Sequence, residues 1–394
     1  MRHLYLHIPF CQRRCAYCDF NTYANMGDRI EAYVQALCTE LGLLARQRAF
    51  ASPLSAEAAA LRPSIFFGGG TPTMLSLGQL ERILAAAAAL VPLAEAEITS
   101  EANPGTVLQP AYLRGLRALG FNRLSLGVQS LHDPTLRLLG RIHTAAEAHQ
   151  SYVAAREAGF AHINLDFIFG LPGQDLAQWT ATLATLVHWE VEHLSLYALT
   201  LEAPTPLAAQ VHAGRIGVPD DDDAATLYEE AMAHLAAVGY VQYEISNWVR
   251  PAGREVLPGL PWQACHHNLA YWLNSDYMAA GAGAHGHRYP WRYANVLGID
   301  AYIKMVNTGC MPVAEELPLT PLDLCAETML MGMRLNVGVS AAHFAARCGL
   351  SLETTYGTAL AELVGQGLVE WAGERVRLTP RGRMLGNRVF ARFV

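Results

Sequence analysis

The stretch His7-Ile8-Pro9-Phe10-Cys11-Gln12-Arg13-Arg14-Cys15-Ala16-Tyr17-Cys18-Asp19-Phe20 sets three cysteines on one short loop in a CxxxCxxC spacing, just after the apolar run Leu4-Tyr5-Leu6. A structural zinc site closes with four ligands and usually draws them from two paired knuckles. No second knuckle follows, because Cys38, Cys265, Cys310, Cys325 and Cys348 are scattered singly, and isolated cysteines are more often small buried hydrophobes than ligands. A cubane iron-sulfur cluster is normally held by four thiolates, so three on one loop leave one iron open to something other than protein. Cys11, Cys15 and Cys18 are thus the expected ligands of a 4Fe-4S cluster.

Outward from this loop, short apolar runs alternate with amphipathic ones as far as about Thr200. Strands are expected at His3 to Ile8, Ser64 to Phe67, Glu97 to Glu101, Arg123 to Gly127, His162 to Phe167 and His193 to Leu199. Helices are expected near Arg29 to Ala45, Leu77 to Leu90, Ala111 to Leu119, Ala145 to Ala158 and Leu176 to Val187. Repeated strand and helix units argue for a parallel sheet with right-handed crossovers. Six strands suit a partial barrel, since the eight of a closed one are not evident. Ligands of such sheets sit at the carboxyl ends of the strands.

The second strand runs into Gly68-Gly69-Gly70-Thr71-Pro72, where missing side chains let the backbone approach a ligand. The third ends at Glu101, an acceptor suited to a diol. Gln129 and Asp166 end the fourth and fifth, and Arg141 offers a fork for a carboxylate. Singly, each could be a helix cap or a surface ion pair. Jointly, in order and behind the cysteine loop, they resemble the coproporphyrinogen III oxidase-like branch of the radical S-adenosylmethionine (SAM) family. That resemblance implies an α/β partial (βα)6 TIM-like barrel, a cluster whose open iron takes the amino and carboxylate groups of SAM, and a 5′-deoxyadenosyl radical when SAM is cleaved. It also places Tyr5, Tyr17, Gly69, Gly70, Thr71, Glu101, Gln129, Arg141 and Asp166 beside SAM.

Beyond the barrel, Tyr240 to Trp248 alternates like a strand, and Cys265-His266-His267-Asn268-Leu269-Ala270-Tyr271-Trp272 follows a Pro/Gly-rich loop. The small, glycine-rich run Asp276 to Gly286 permits close approach of a flat macrocycle or of backbone. A histidine near aromatics is ordinarily a packed core residue, and can also be an axial ligand of heme iron. The pattern His267-Asn268-x-x-Tyr271-Trp272 resembles that of the heme chaperones in this branch, which implies heme binding at His267, Tyr271 and Trp272, with His266, His285, His287 or Cys265 as other ligands to weigh. The dehydrogenase relatives carry a further cysteine two positions after the third and an extension ahead of the loop; here Phe20 stands at that position, with ten residues before Cys11.

Three units are expected: residues 1–240 as the barrel, 241–318 as an α+β extension with the HNxxYW motif, and 319–394 as a winged-helix-like domain. The last reads as helices Ala326 to Arg334, Ala341 to Cys348 and Leu352 to Gln366, then strands Leu368 to Trp371 and Arg375 to Leu378. With no basic cluster on its third helix, it suits a partner surface rather than DNA.

Net charge is −7 and Lys304 is the only lysine, which argues against nucleic acid or a polybasic membrane patch. The acidic run Asp220 to Asp223 reads as a solvated loop before a helix, not a metal site. Neither a secretory leader nor a membrane-spanning run is legible, and a reducing, cytoplasmic setting suits the free thiols. The resemblance implies a heme chaperone that uses the cluster and SAM and delivers heme to heme-requiring proteins such as respiratory ones; the alternative is a coproporphyrinogen III dehydrogenase or another tetrapyrrole-modifying enzyme. Whether the chain is an enzyme stays open. A purely structural iron-sulfur protein is disfavoured, since it would need neither the glycine loop nor a carboxylate at the barrel mouth. Heme, a heme-acceptor protein and an electron donor are the partners implied, with peripheral membrane association and a homodimer left open.

Overall fold

The computed structural model describes residues 2–47, 54–106, 109–217 and 220–394. Six parallel strands pair in chain order: β1 (His3–Ile8), β2 (Ser64–Gly69), β3 (Glu97–Ala102), β4 (Arg123–Gln129), β5 (His162–Phe169) and β6 (His193–Ala198). Between them run α1 (Ile30–Arg46), α2 (Leu77–Ala87), α3 (Pro110–Ala118), α4 (Ala145–Glu157) and α5 (Leu176–His188). The helix starts are written in the sequence: Ser76 with Gln79, and Thr144 with Glu147, close reciprocal capping boxes on α2 and α4. The acidic run lies mostly inside a further helix, α6 (Asp221–Ala237), where Asp220 caps the start and three aspartates occupy the first turn, as the helix dipole favours.

Parallel strands are usually apolar on both faces, yet here β1 reads His3-Leu4-Tyr5-Leu6-His7-Ile8 and β4 reads Arg123-Leu124-Ser125-Leu126-Gly127. The apolar set (Leu4, Leu6, Ile65, Phe67, Leu124, Leu126, Ile163 and Leu165) shares one core with Tyr33, Leu37, Ile83, Leu116 and Leu183 of the helices. The polar set, including Thr99, Arg123, Ser125, Asn164, His193 and Ser195, lines a cavity of about 230 Å³ inside the curved sheet.

Three strands join this sheet from beyond the expected barrel: β7 (Val241–Glu244), β8 (Asn247–Val249) and β9 (Met278–Ala280). The order is β9-β1-β2-β3-β4-β5-β6-β8-β7, with β9 parallel to β1 and β8 antiparallel to β6. The single strand expected over Tyr240 to Trp248 is therefore a hairpin, turned where the Ser246 N–H donates to Glu244 Oε1 at 2.8 Å. The boundary expected after residue 240 runs through one continuous sheet. An open sheet leaves backbone groups at both edges to be paired, and these later strands pair them.

At the carboxyl end, α8 (Pro321–Gly332), α9 (Ala341–Cys348) and α10 (Leu352–Gly365) precede a hairpin of Val369–Ala372 and Arg375–Leu378. The first of these helices starts five residues before the expected Ala326, because Thr320 caps it with Asp323. Met329, Phe344, Leu360, Leu363, Val376 and Phe393 form a separate core there. Among the described residues no helix is long and apolar enough to cross a membrane.

Candidate cofactor site at the mouth of the partial barrel

The cysteine loop is fixed to the strand ends by its backbone. Phe10–Cys11 pairs with Tyr23–Ala24, which closes the base of the loop. The Gly70 N–H donates to Ile8 O at 2.9 Å and the Thr71 N–H to Phe10 O at 2.7 Å, so the glycine turn and the loop are one unit. Their closeness explains the glycines. A Cβ on Gly70 would stand 2.6 Å from Phe10 O, and Gly69, at φ +107°, would drive one into the His7 ring.

Cys11, Cys15 and Cys18 are half-buried and free. Arg141 Nη1 donates to Cys15 Sγ at 3.2 Å and Thr71 Oγ1 to Cys11 Sγ at 3.7 Å. Burial pushes the Cys11 and Cys18 thiols up, so a metal must favour their ionisation. Among the described residues no group of three Cys, His, Asp or Glu side chains is placed to hold a single metal ion; a cubane instead takes each thiolate on a different iron.

These cysteines rim a cleft of about 500 Å³ that also collects Tyr17, Gly69, Gly70, Thr71, Glu101, Gln129, Arg141 and Asp166. Burial and then the charge of Asp166 raise the Glu101 carboxyl to about 8, although Oε2 accepts the Gly69 N–H at 3.1 Å. Burial also raises Asp166, against hydrogen bonds from Asn164 Nδ2 at 2.8 Å and Ser125 Oγ at 3.0 Å. Two carboxyls held above their ordinary range mark a site that gains from a cationic ligand. Arg141 answers the opposite charge: Nη2 donates to Asn103 Oδ1 at 2.6 Å and Gly127 O at 2.5 Å, while Nε is buried without a partner. An unmade bond of this kind calls for an acceptor. Cationic and carboxylate groups on one ligand are what SAM offers, so the donor set fits it. Gln129 adopts φ +70° at a bulge in β4, and such strain persists where the surroundings over-determine it.

Asn103 and His143 were not legible as site residues, though each lies two positions from one that was. His143 lies between Asn103 Oδ1 at 3.2 Å and Val128 O at 3.1 Å, and burial and then Arg141 lower it to about 4. Tyr17 packs against Leu139, Ile168 and Leu171, and burial raises its hydroxyl. Tyr5 stands outside the cleft, its hydroxyl 3.0 Å from His7 Nδ1 and its ring over Phe66.

The HNxxYW motif forms α7 (His266–Trp272) beside the barrel interior. His267 is buried with both ring nitrogens engaged, Nδ1 at 2.8 Å from Ser64 Oγ and Nε2 at 2.9 Å from Tyr271 OH, and burial lowers it to about 4. Its expected role as an iron ligand does not suit this arrangement, in which the imidazole is a satisfied core group that holds Tyr271. Positions i and i+4 share a helix face and i+5 turns away. Accordingly Trp272 points elsewhere, under the Arg334 guanidinium 4.5 Å from its ring centroid. His266 is likewise engaged, with Arg62 N and Trp262 O, and His287 is fully buried. His285 is exposed.

Comparison with known proteins follows the same lines. Residues 5–186 match the model of the Radical SAM superfamily, and residues 319–385 that of the HemN C-terminal domain. The chain is 36% identical to the heme chaperone HemW of Bacillus subtilis over 100% of this chain and 99% of that one. It is 36% identical to the heme chaperone HemW of Mycobacterium tuberculosis over 98% and 93%, and to a mitochondrial radical S-adenosyl methionine domain-containing protein 1 of Mus musculus over 93% and 81%. Its fold superposes on coproporphyrinogen III oxidase (HemN) of Escherichia coli, a radical SAM enzyme, with a TM-score of 0.80 at 24% identity, covering 99% of this chain and 89% of that one.

Proposed function

This chain belongs to the radical SAM superfamily and, within it, to the HemW family, and from that premise we propose that it is a heme chaperone that binds a 4Fe-4S cluster, SAM and heme. The observation that carries the proposal is the full-length likeness to heme chaperones joined to one cleft at the barrel mouth that brings Cys11, Cys15 and Cys18 together with Glu101, Asp166 and Arg141. Cys11, Cys15 and Cys18 hold the cluster. Arg141 and the glycine turn take the SAM carboxylate and amino groups, and Glu101 accepts from its ribose. When bound, the cluster and SAM supply one-electron chemistry at the open iron.

Phe20 favours delivery of heme over oxidation of its precursor. It lies at the cleft, 63% exposed, where the dehydrogenase relatives are expected to carry a further cysteine. On this reading heme passes to a heme-requiring acceptor protein, an electron donor reduces the cluster, and the setting is cytoplasmic, with membrane periphery and a homodimer as further proposals. The test is anaerobic reconstitution followed by heme titration in the Soret region and, in parallel, an assay for coproporphyrinogen decarboxylation. Heme binding without decarboxylation is expected. Decarboxylation with SAM turnover would replace this reading with the dehydrogenase, and a reconstituted protein with zinc and no iron would end it. Alanine at Cys11, Cys15 or Cys18 should abolish iron uptake with the circular dichroism spectrum retained.

A further inference from the structure

A second cleft, of about 620 Å³, lies beside the cofactor cleft and shares with it Arg14, Asp19, Phe20, Thr22, Gly69 and Glu101, so the two form one trough. One wall is the carboxyl half of the cysteine loop; the other is the segment from Gly283 to Leu297. We propose that this second cleft is the heme seat and that His285 is the iron ligand. The proposal rests on the heme-chaperone reading above and locates its cargo.

Four features converge there. The cleft, at about 620 Å³, has the size of a small-molecule site, since ligand sites commonly run from about 300 to 1,000 Å³. Its rim carries two large apolar side chains in water, Phe20 at 63% and Leu297 at 60% exposed, and exposed apolar side chains grouped at a groove mark a binding site. Tyr271 and Tyr277, edge to face at 4.6 Å, supply an aromatic wall. His285 is exposed and its ring makes no hydrogen bond among the described residues, while its backbone is fixed by pairing with Ala294. An imidazole with free nitrogens on a rigid strand is suited to an axial position. Arg14, also exposed, donates through Nη2 to Cys18 O at 3.2 Å, and its other guanidinium donors suit a propionate.

The two walls are tied together. Asn21 Nδ2 donates to Ala282 O and Leu297 O, both at 3.0 Å, and Tyr23 OH donates to Leu297 O at 3.1 Å. Gly283 permits this, since a Cβ there would stand 2.5 Å from Asn21 Nδ2. The cluster loop is therefore half of the heme seat, and its order sets the shape of the cleft. The HNxxYW motif enters through Tyr271, which His267 holds from behind.

Heme titration of the reconstituted full chain compares the native sequence with His285→Ala, Leu297→Asp and, as a control on a surface histidine elsewhere, His212→Ala. His285→Ala should shift the Soret maximum and weaken heme binding roughly tenfold or more. Leu297→Asp should weaken heme and metal-free protoporphyrin alike, and His212→Ala should change neither. Protein with the cluster removed should bind heme more weakly. Heme binding with an unaltered spectrum and affinity in both His285→Ala and Leu297→Asp would overturn this site and leave the chaperone reading standing. Failure of the native protein to bind heme at all would remove both.

Discussion

Glu101 and Gly70 are one strand apart and do different work. Glu101, raised to about 8 by burial and by Asp166, is largely protonated at neutral pH before SAM arrives. A diol that donates to the ionised form lowers this pKa on binding and releases a proton. SAM affinity should therefore rise with pH through about 8 and then level, a slope that calorimetry should find absent in Glu101→Gln. Above that pH, where the carboxylate is already ionised, Glu101→Ala should lose about 1.5–3 kcal/mol, the worth of a hydrogen bond to a charged group. Gly70 was expected to keep space for the ligand, but its missing Cβ makes room for the carbonyls of Phe10 and Ile8. Gly70→Val should thus displace the cysteine loop, and iron content after reconstitution should fall along with SAM binding. Full iron content with SAM binding alone lost would mean that the side chain blocks the ligand after all.

At the scale of elements, α7 is docked through a buried ion pair. Arg123 Nε donates to Glu97 Oε2 at 3.1 Å, and Glu97 Oε1 accepts the His267 N–H at 3.1 Å. Burial alone would push Glu97 up, but Arg123, His266 and these N–H groups outweigh it and hold the carboxyl at about 2. Removing one partner of a buried pair leaves an uncompensated charge. Arg123→Met should cost about 3–5 kcal/mol in urea denaturation. A depressed carboxyl stabilises the fold above its unfolded pKa, and that stability is lost as pH falls from 4.5 toward about 2. The native protein should lose stability across that window and Arg123→Met should lose less of it. Equal losses in the two would place the acid sensitivity elsewhere.

At the scale of the whole molecule, polar contacts help to tie the carboxyl-terminal core to the barrel. Glu57, ahead of β2, accepts from Arg375 Nη1 at 2.7 Å, Arg375 Nη2 at 3.2 Å and Ser340 Oγ at 2.6 Å, and so ties residues 339–378 to the barrel. Both partners are mostly buried, at 14% and 22% side-chain exposure, so the pair is worth more than a surface bridge. Glu57→Ala should cost about 1–3 kcal/mol for stranded donors. Amide exchange should quicken across residues 339–378 while iron content stays unchanged. Exchange that quickens equally in the barrel would mean that the two cores unfold as one.

The ligand chemistry and the parallel core are local properties, and the sequence alone determined them. Spacing put Cys11, Cys15 and Cys18 on one loop, and alternation in β1 to β6 set one polar and one apolar face, because side chains on a strand reverse at every residue. That eleven of the residues expected to hold the cofactors would gather at one cleft was legible for the same reason: each ends a strand or follows one, and parallel strands deliver their carboxyl ends to one side. Tertiary structure decided what depends on distant pairing. Residues 241–249 and 278–280 entered the barrel sheet because its open edges needed partners. His267 was fixed by Ser64, some 200 residues away, and Asn21 by Leu297. A pattern along the chain gives a histidine or an asparagine its neighbours within a turn or a strand; whether its ring or amide faces a ligand or a core is set by what the fold brings against it.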